Sequence, residues 1–214
     1  MAKILERTRL APNIHLIEVQ APEVARKSRP GQFVIVMPDE RGERVPLSIA
    51  DWDAGKGSVT SVFLVVGTST RKLAALEAGD EVPVFVGPLG RPSEIAPFGT
   101  VVLVAGCFGI GALSPTARAL KAAGNRVVAL IDAKSDDLAY WKDRCRAVCD
   151  QVVFSSRGRA LGSRGFVPRP LEELVAAEAP AARVIAVGCT YLMYASAMAT
   201  KALGIKTIVS LNPI

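Results

Sequence analysis

The pattern of apolar residues changes at Pro97-Phe98-Gly99. Before this point, short β-type runs recur at a spacing of about ten residues, with proline and glycine between them, which predicts a small antiparallel barrel. After this point, strand and helix patterns alternate, which predicts an open parallel sheet covered by helices on both faces. We therefore predict a β-barrel domain over residues 1–98 and an α/β domain over residues 99–214.

The individual elements follow from the same patterns. The predicted barrel strands are Ile14–Gln20, Gln32–Met37, Val59–Val66 and Glu81–Val86, with a short helix at Arg71–Leu76. The predicted parallel strands are Val101–Ala105, Arg126–Ile131, Val152–Ser155, Val184–Val187 and Thr207–Ser210. The predicted helices between them are Pro115–Ala123, Ser135–Val148, Leu171–Glu178 and Met193–Ala202. A ligand is expected beyond the carboxyl ends of the parallel strands.

Composition excludes several classes of protein. Half of the 214 residues are apolar and 21% are charged, so disorder, collagen and coiled coil are excluded. No apolar run approaches the roughly 20 residues of a membrane span. Four charged residues among the first ten leave no room for a signal peptide, so we expect a cytoplasmic protein without a membrane partner. The four cysteines form no CxxC pair, and we expect no metal site.

The net charge of +6 comes from the second half of the chain, because residues 1–98 contain twelve basic and twelve acidic residues. Four arginines occur within thirteen residues that contain no acid: Arg157, Arg159, Arg164 and Arg169. A basic loop of this kind suits an anion such as a phosphorylated cofactor or an acidic partner. Nucleic acid is not expected, because this loop offers only Phe166 for stacking on bases.

A glycine-rich turn follows the first predicted parallel strand. Its sequence is Gly106-Cys107-Phe108-Gly109-Ile110-Gly111, and a helix follows it. Glycines at this place let the backbone approach a pyrophosphate, whose charge the helix N-terminus favours. The spacing is GxxGxG rather than GxGxxG, so a tight strand-to-helix turn without a ligand is the alternative.

Two features of the sequence bear on the choice of nucleotide. Asp132, at the end of the second parallel strand, is suited to a ribose 2′-hydroxyl and would favour NAD(H). Ser156-Arg157 and Arg164 are suited to a 2′-phosphate, and hydrogen bonds to a charged group contribute about 1.5–3 kcal/mol each. We favour NADP(H), because Asp132 has an alternative role as a turn residue before Ser135. The alternative for the arginines is a solvated loop.

A second candidate phosphate site lies in the barrel half. Gly67-Thr68-Ser69-Thr70 combines a glycine and hydroxyl residues at the start of a helix. Arg44-Val45-Pro46-Leu47-Ser48-Ile49 is predicted to lie between two barrel strands, and a serine held beside a flat ring could donate to a flavin nitrogen. The alternative is that both segments are ordinary barrel turns.

Several motifs, in the same order, resemble a known family over nearly the entire chain. They are Arg-Pro-Gly-Gln-Phe-Val, Val-Pro-Leu-Ser-Ile-Ala-Asp, Val-Val-Gly-Thr-Ser-Thr, Gly-Asp-x-Val, Gly-Pro-Leu-Gly and Val-Ser-Leu-Asn-Pro-Ile. The chain resembles the ferredoxin–NADP reductase superfamily. Within it, the motifs are most similar to the electron-transfer subunit branch, which includes the small subunit of NADH-dependent ferredoxin–NADP oxidoreductase, the sulfide dehydrogenase β subunit and the dihydroorotate dehydrogenase electron-transfer subunit.

The resemblance implies that the barrel binds FAD. Leu47 would stack on the flavin ring and Ser48 would approach its N5 atom as the catalytic residue. Val45 occupies the position of the family's arginine, and Arg44, one residue earlier, would contact the phosphate. The remaining implied FAD contacts are Pro46, Phe63, Leu64 and Gly67, together with the pyrophosphate-binding pair Ser69 and Thr70.

The resemblance also implies that the second domain binds NADP(H). Ser156-Arg157 and Arg164-Gly165-Phe166 match the Ser-Arg and basic-x-aromatic motifs of NADP-using reductases. The segment from Gly188 to Met193 matches the family's Gly-Pro-x-x-Met-Met, with Cys189 in place of the proline.

Together these features predict an FAD-containing electron-transfer subunit. It would move electrons between NADP(H) and the iron–sulfur centres of a partner oxidoreductase in a hetero-oligomer, with a 2-oxoacid oxidoreductase as one option. In the similar subunits, the sequence after Ser-Leu-Asn-Pro-Ile continues into a segment that binds a two-iron cluster. The present sequence ends at Ile214. We expect either a truncation or a subunit without a cluster of its own. Two alternatives remain: an NAD-linked subunit of another flavoenzyme, and a non-catalytic nucleotide-sensing module.

Overall fold

The computed structural model describes residues 1–133, 135–156, 169–177 and 181–211. They divide into two compact units, Met1–Ser93 and Glu94–Leu211. The boundary lies five residues before the one predicted from sequence. Side chains of the second unit hold the segment between the two boundaries: Arg183 bonds Glu94 at 2.9 Å, and Asn125 accepts the N–H of Phe98.

The first unit is an antiparallel sheet that is nearly closed into a barrel. Its strands are β1 (Ala2–Ala11), β2 (Ile14–Gln20), β3 (Phe33–Met37), β4 (Val45–Asp53), β5 (Ser58–Leu64), β6 (Glu81–Val82) and β7 (Val84–Leu89). Two helices, α1 (Pro22–Lys27) and α2 (Thr68–Ala75), lie between them in sequence. The strand order is β6-β1-β2-β5-β4-β3-β7. The predicted barrel is confirmed.

Several details of the first unit differ from the prediction. The segment Arg44–Ile49, predicted as a connection, runs into strand β4, which pairs with β3 and β5. Pairing on both sides stabilises this strand although Pro46 lies within it. The predicted strand Glu81–Val86 is two strands, because Pro83 lacks an N–H for the ladder. Of these, β6 pairs with β1 and β7 with β3.

The second unit is a parallel sheet flanked by helices. Its described strands are β8 (Thr100–Gly106), β9 (Arg126–Ala133), β10 (Gln151–Ser156), β11 (Ala181–Val187) and β12 (Lys206–Val209). Its described helices are α3 (Gly109–Ala122), α4 (Lys142–Val148), α5 (Arg169–Ala177) and α6 (Thr190–Lys201). The strand order is β10-β9-β8-β11-β12, and every pairing is parallel. The predicted five-stranded parallel sheet is confirmed.

Two predicted helices of this unit have the wrong limits. Helix α3 begins at Gly109 rather than Pro115, and the proline lies within it. Its neighbours on α3 are buried, so packing outweighs the hydrogen bond that a proline cannot make. The predicted helix Ser135–Val148 is a 3-10 turn at Asp136–Leu138 followed by α4, because Trp141 adopts a left-handed conformation with φ 55°.

The core of the second unit explains why its strands were recognisable. Val102, Val104, Val128, Leu130 and Val184 are at most 1% exposed, as expected for a sheet covered on both faces. Within the described part of the chain, we find no helix with both the length and the apolar character needed to span a membrane.

Candidate functional site

The order of the parallel sheet reverses between β8 and β11. These strands are neighbours, although three described helices and two described strands lie between them in sequence. The chain leaves β8 into α3 and leaves β11 into α6. Ala105 pairs with Val187, so Gly106 and Gly188 are the next residues on the two strands. In open α/β sheets, ligands bind beyond the carboxyl ends of the strands at such a switch point.

The glycines at this point bring three backbone segments together. A Cβ atom added to Gly109 would lie 2.2 Å from the carbonyl oxygen of Val187. One added to Gly188 would lie 3.2 Å from the carbonyl oxygen of Gly106. The first turn of α3 therefore packs directly on the end of β11. The structure brings together Gly106, Gly109 and Gly188, which the sequence had placed in two separate motifs.

The other predicted nucleotide contacts differ in exposure. Ile110 is fully buried, Gly111 is buried, and Met193 is 6% exposed within the core of the second unit. Cys189 is an exposed free thiol at the N-cap of α6. Of these four residues, Cys189 is the one with a side chain at the surface.

The sequence did not indicate one residue of this site, Tyr140. Its hydroxyl accepts a hydrogen bond from the N–H of Gly111 at 3.0 Å. Its one hydrogen is shared between the carbonyl oxygens of Cys107 and Phe108, which lie 3.1 and 3.3 Å from the hydroxyl oxygen. No local signal could have shown this contact, because Tyr140 lies 29 residues after Gly111 and its own neighbours suggested an uninterrupted helix.

The structure describes some of the residues that were predicted to determine the preference between NAD(H) and NADP(H). Asp132 pairs with Gly106 in the sheet register and is 2% exposed, so its carboxylate presents little surface to a ribose. Ser156 is the last residue of β10. Arg157 and Arg164 lie outside the described residues, as do Gly165 and Phe166.

The second candidate site is the first turn of α2 in the barrel unit. The hydroxyl of Thr70 accepts the N–H groups of Val66 and Gly67, each at 3.0 Å, and donates to the carbonyl of Gly67 at 3.1 Å. The hydroxyl of Ser69 accepts the N–H of Glu43 at 3.0 Å. The two hydroxyls fix the shape of the turn, while the first N–H groups of a helix have no acceptor within it.

This turn is open at Gly67. A Cβ atom added there would meet no heavy atom within 4 Å, so the surface next to the N-terminus of α2 is open; we refer to this open surface as the cradle. The bond from Glu43 to Ser69 brings the exposed Arg44 close to the same turn. Arg71, which sequence reasoning missed, contributes a second positive charge and bonds the Thr68 hydroxyl at 3.3 Å. This arrangement suits a phosphate.

The residues predicted to contact the flavin ring lie on two faces of the barrel sheet. Leu47 is 5% exposed and packs in the core, and Val45 packs against the same core. Pro46 and Ser48 alternate with them along β4 and therefore face the opposite side. A flavin contact by Leu47 would require its side chain to leave the core, so the stacking role stays a prediction.

The predicted contacts on β5 are similarly divided. Phe63 is 2% exposed, and its ring stacks on that of His15 with the centroids 5.9 Å apart. Leu64, at the end of the strand, is half-buried. Phe63 therefore supports the sheet from the inside, and its contact with FAD also stays a prediction.

The described residues include no group of three or more His, Cys, Asp and Glu side chains placed to hold a metal ion. Burial raises the pKa of Cys145 to about 11 and that of Cys149 to about 12. These two thiols are therefore protonated at neutral pH and unsuited to metal binding without a change in the fold.

Comparisons with known proteins agree with this architecture. The chain is 35% identical to a dihydroorotate dehydrogenase B (NAD(+)) electron transfer subunit homologue from Thermotoga maritima, over 99% of this chain and 74% of that protein. It is 36% identical to an uncharacterised protein from Clostridium beijerinckii, over 100% of this chain and 75% of that protein. No family model matches.

Solved structures extend the comparison. The structure of an NADH-dependent reduced ferredoxin–NADP oxidoreductase, solved to study flavin-based electron bifurcation, superimposes with a TM-score of 0.89 and 34% identity. The match covers 100% of this chain and 77% of that one. Plasmodium falciparum ferredoxin–NADP+ reductase shares the fold, with a TM-score of 0.76 and 11% identity over 97% of this chain and 94% of that one. The chain therefore belongs to the electron-transfer subunit family within the ferredoxin–NADP reductase superfamily.

Proposed function

We propose that this chain binds FAD on its barrel unit and a nicotinamide dinucleotide on its parallel-sheet unit, and passes electrons to iron–sulfur centres of a partner subunit. The observation that carries the proposal is the meeting of Gly106, Gly109 and Gly188 at the switch point of the sheet. The family relationship and the open cradle at Gly67 support it.

On the barrel, the residues present fit a dinucleotide phosphate. The first N–H groups of α2 and the guanidinium groups of Arg44 and Arg71 would bind the pyrophosphate, and Gly67 leaves room for it. Thr70 and Ser69 would act indirectly, by holding the turn through their hydroxyls. Ser48, on the outer face of β4, is the candidate donor to the flavin ring.

On the parallel sheet, Gly109 and Gly188 let the start of α3 pack on the end of β11. A pyrophosphate would bind between the starts of α3 and α6, where the two helix N-termini favour negative charge. When bound, the flavin would take a hydride from the nicotinamide and release the two electrons one at a time. The contribution of this chain is to bind and orient the two cofactors, so its own residues need no acid–base pair.

The preferred nucleotide is NADP(H), as the hydroxyl of Ser156 and the basic residues Arg157 and Arg164 suggest. The burial of Asp132 is consistent with this choice, because a carboxylate that is 2% exposed is poorly placed for a ribose hydroxyl. NAD(H) is the second candidate, because the names of several relatives include NAD(+). Titration with both nucleotides, repeated with Arg157→Ala, separates the two. Arg157→Ala should weaken NADPH binding and leave NADH binding unchanged.

The proposed partner carries iron–sulfur centres, as in a multi-subunit flavoenzyme or a 2-oxoacid oxidoreductase, and the assembly is a hetero-oligomer. Purification under mild conditions, followed by metal and flavin analysis of the co-purifying subunits, tests this. Recovery of an iron-free chain alone from cells that contain the natural partner genes would contradict it.

The central experiment uses the purified chain under anaerobic conditions. We expect a yellow protein whose visible flavin absorbance is bleached by NADPH or NADH. A protein that carries FAD but stays oxidised with both nucleotides would refute the electron-transfer proposal. A colourless protein that binds nucleotide but not added FAD would instead indicate a nucleotide-sensing module.

The FAD cradle has its own test in Gly67→Ala. The added methyl group meets no protein atom within 4 Å, so the fold should melt at the wild-type temperature. FAD binding should weaken about tenfold or more, because the methyl group would occupy space next to the phosphate. Gly55→Ala, in the turn between β4 and β5, is the control away from the site; its methyl group would lie 3.3 Å from Oδ1 of Asp53, so a small loss of stability there is expected. Unchanged FAD affinity in Gly67→Ala would refute the assignment of the cradle.

A further inference from the structure

Tyr140 lies beneath the first turn of α3 and is 6% exposed. Its hydroxyl is bonded to three backbone groups of one turn: the N–H of Gly111 and the carbonyls of Cys107 and Phe108. Burial raises the pKa of this hydroxyl far above its ordinary value, so it stays protonated and can donate to a carbonyl. A single side chain thus ties together both ends of the segment 107–111.

Backbone strain is concentrated on both sides of this contact. Among the described residues, the non-glycine residues with positive φ are Cys107 at 51° and Trp141 at 55°. The first lies in the turn that Tyr140 holds, and the second directly follows Tyr140. A left-handed conformation costs a non-glycine residue about 1–3 kcal/mol and persists only when its surroundings enforce it.

Trp141, the strained residue directly after Tyr140, also forms the start of α4 and packs on Tyr140. The carbonyl of Trp141 accepts the N–H of Cys145 at 2.8 Å, which starts α4. Its ring packs edge-on against the ring of Tyr140, with centroids 5.7 Å apart. The left-handed bend at Trp141 therefore leads the chain from Tyr140 into α4, while Tyr140 stays in contact with the glycine turn.

We propose that Tyr140 is a positioning residue for the nicotinamide dinucleotide, which keeps the turn from Cys107 to Gly111 in its binding conformation through its hydroxyl. This inference rests on the proposed nucleotide site at the switch point. Without the hydroxyl, the turn loses a contact that enforces the positive φ of Cys107, and the nucleotide must then order the turn as it binds. Ordering on binding lowers affinity without changing the contacts in the complex.

Tyr140→Phe tests the proposal, because it removes the hydroxyl and keeps the ring that packs on Trp141. Calorimetric titration with NADP+ and NAD+ measures binding without electron transfer. We expect the dissociation constant of the preferred nucleotide to rise about tenfold, and amides 107–113 to exchange hydrogen faster. In steady-state assays KM should rise, while kcat at saturating nucleotide should change less than twofold. Tyr194→Phe, on a tyrosine that is 61% exposed, is the matched control and should change none of these values.

A second substitution separates positioning from a general loss of structure. Glycine adopts positive φ without strain, so Cys107→Gly in the Tyr140→Phe background should restore most of the affinity. Failure of wild-type protein to bind either nucleotide would overturn the proposed function itself. Wild-type binding together with an unchanged dissociation constant in Tyr140→Phe would overturn only the role of Tyr140. Weak binding that Cys107→Gly does not restore would also overturn it.

Discussion

Asn125 connects the start of the second unit to its core, and its replacement by aspartate is the sharpest test of that connection. Its side chain is buried and fully bonded: Oδ1 accepts the N–H groups of Phe98 at 2.6 Å and Gly99 at 3.1 Å. Nδ2 donates to the carbonyls of Ala96 at 2.9 Å and Leu120 at 2.8 Å. Asn125→Asp keeps the shape and the acceptor but replaces the donor by an oxygen that faces two carbonyl oxygens.

The expected cost follows from this geometry. Each buried hydrogen bond that loses one partner costs about 1–3 kcal/mol, so two give a loss of about 2–6 kcal/mol in the stability of the second unit. Leu120 keeps the N–H of Asn125, at 3.1 Å, as a partner for its carbonyl, which favours the lower part of this range. Because the chain has two units, the loss is best measured locally, by hydrogen exchange of the β9 amides.

The stability cost of Asn125→Asp is expected to depend on pH in a definite direction. Burial beside two carbonyl oxygens raises the folded pKa of the introduced carboxyl above its unfolded value, so protonation favours the folded state. The deficit relative to wild type should therefore be largest at pH 8 and should shrink as the pH falls toward 5. Asn13→Asp, at an exposed position in the barrel unit, is the control and should cost less than about 0.5 kcal/mol. A deficit below that value for Asn125→Asp, or one that grows on acidification, would refute the reasoning.

Three further predictions concern other parts of the molecule. Burial, followed by the charges of the two arginines of β1, lowers the pKa of His15 below 6.5, so the folded state favours the neutral ring and stability falls as the pH drops below 6.5. Because His15 is the single histidine, its NMR titration is unambiguous, and a midpoint above 6.5 would contradict this prediction. The hydrogen bond from Lys121, followed by that from a β9 amide, lowers the pKa of Asp150 below 3.8. Asp150→Asn should therefore lower the free energy of urea unfolding by about 1 kcal/mol at pH 7, and this difference from wild type should vanish as the pH falls through the lowered pKa. Gly109→Ala would place a methyl carbon 2.2 Å from the carbonyl oxygen of Val187, so α3 would have to shift. We expect a large fall in the melting temperature of the second unit, and a wild-type melting curve would contradict the packing role of Gly109.

The parallel sheet could be predicted strand by strand because each strand contains adjacent apolar residues, most clearly in Val101–Ala105. Strand β4 could not, because Pro46, Ser48 and Asp51 interrupt its apolar residues, and its stability depends on pairing with two distant strands. Strand β1 was missed for a related reason: charged residues interrupt its alternation. These strands depend on tertiary contacts, which local patterns do not encode.

The candidate sites were predictable to a similar degree. The glycines of the two turns stood out because few other residues allow so close a backbone approach. The role of Thr70 was only partly predictable, because the sequence pattern is the same for a hydroxyl that caps a turn and for one that binds phosphate. Tyr140 could not be found at all, because its contact depends on a bend at Trp141 that no glycine marks.

The neighbouring positions of β8 and β11 have a consequence for synthesis on the ribosome. Val187 pairs with Ala105, which precedes it by 82 residues, so β8 emerges long before its partner. At translation rates of about 5–20 residues per second, the wait lasts roughly 4–16 s. During this time β8 presents an apolar edge with unpaired backbone groups. The nascent chain should therefore depend on chaperones, or on early pairing with β9, until the later strand is made.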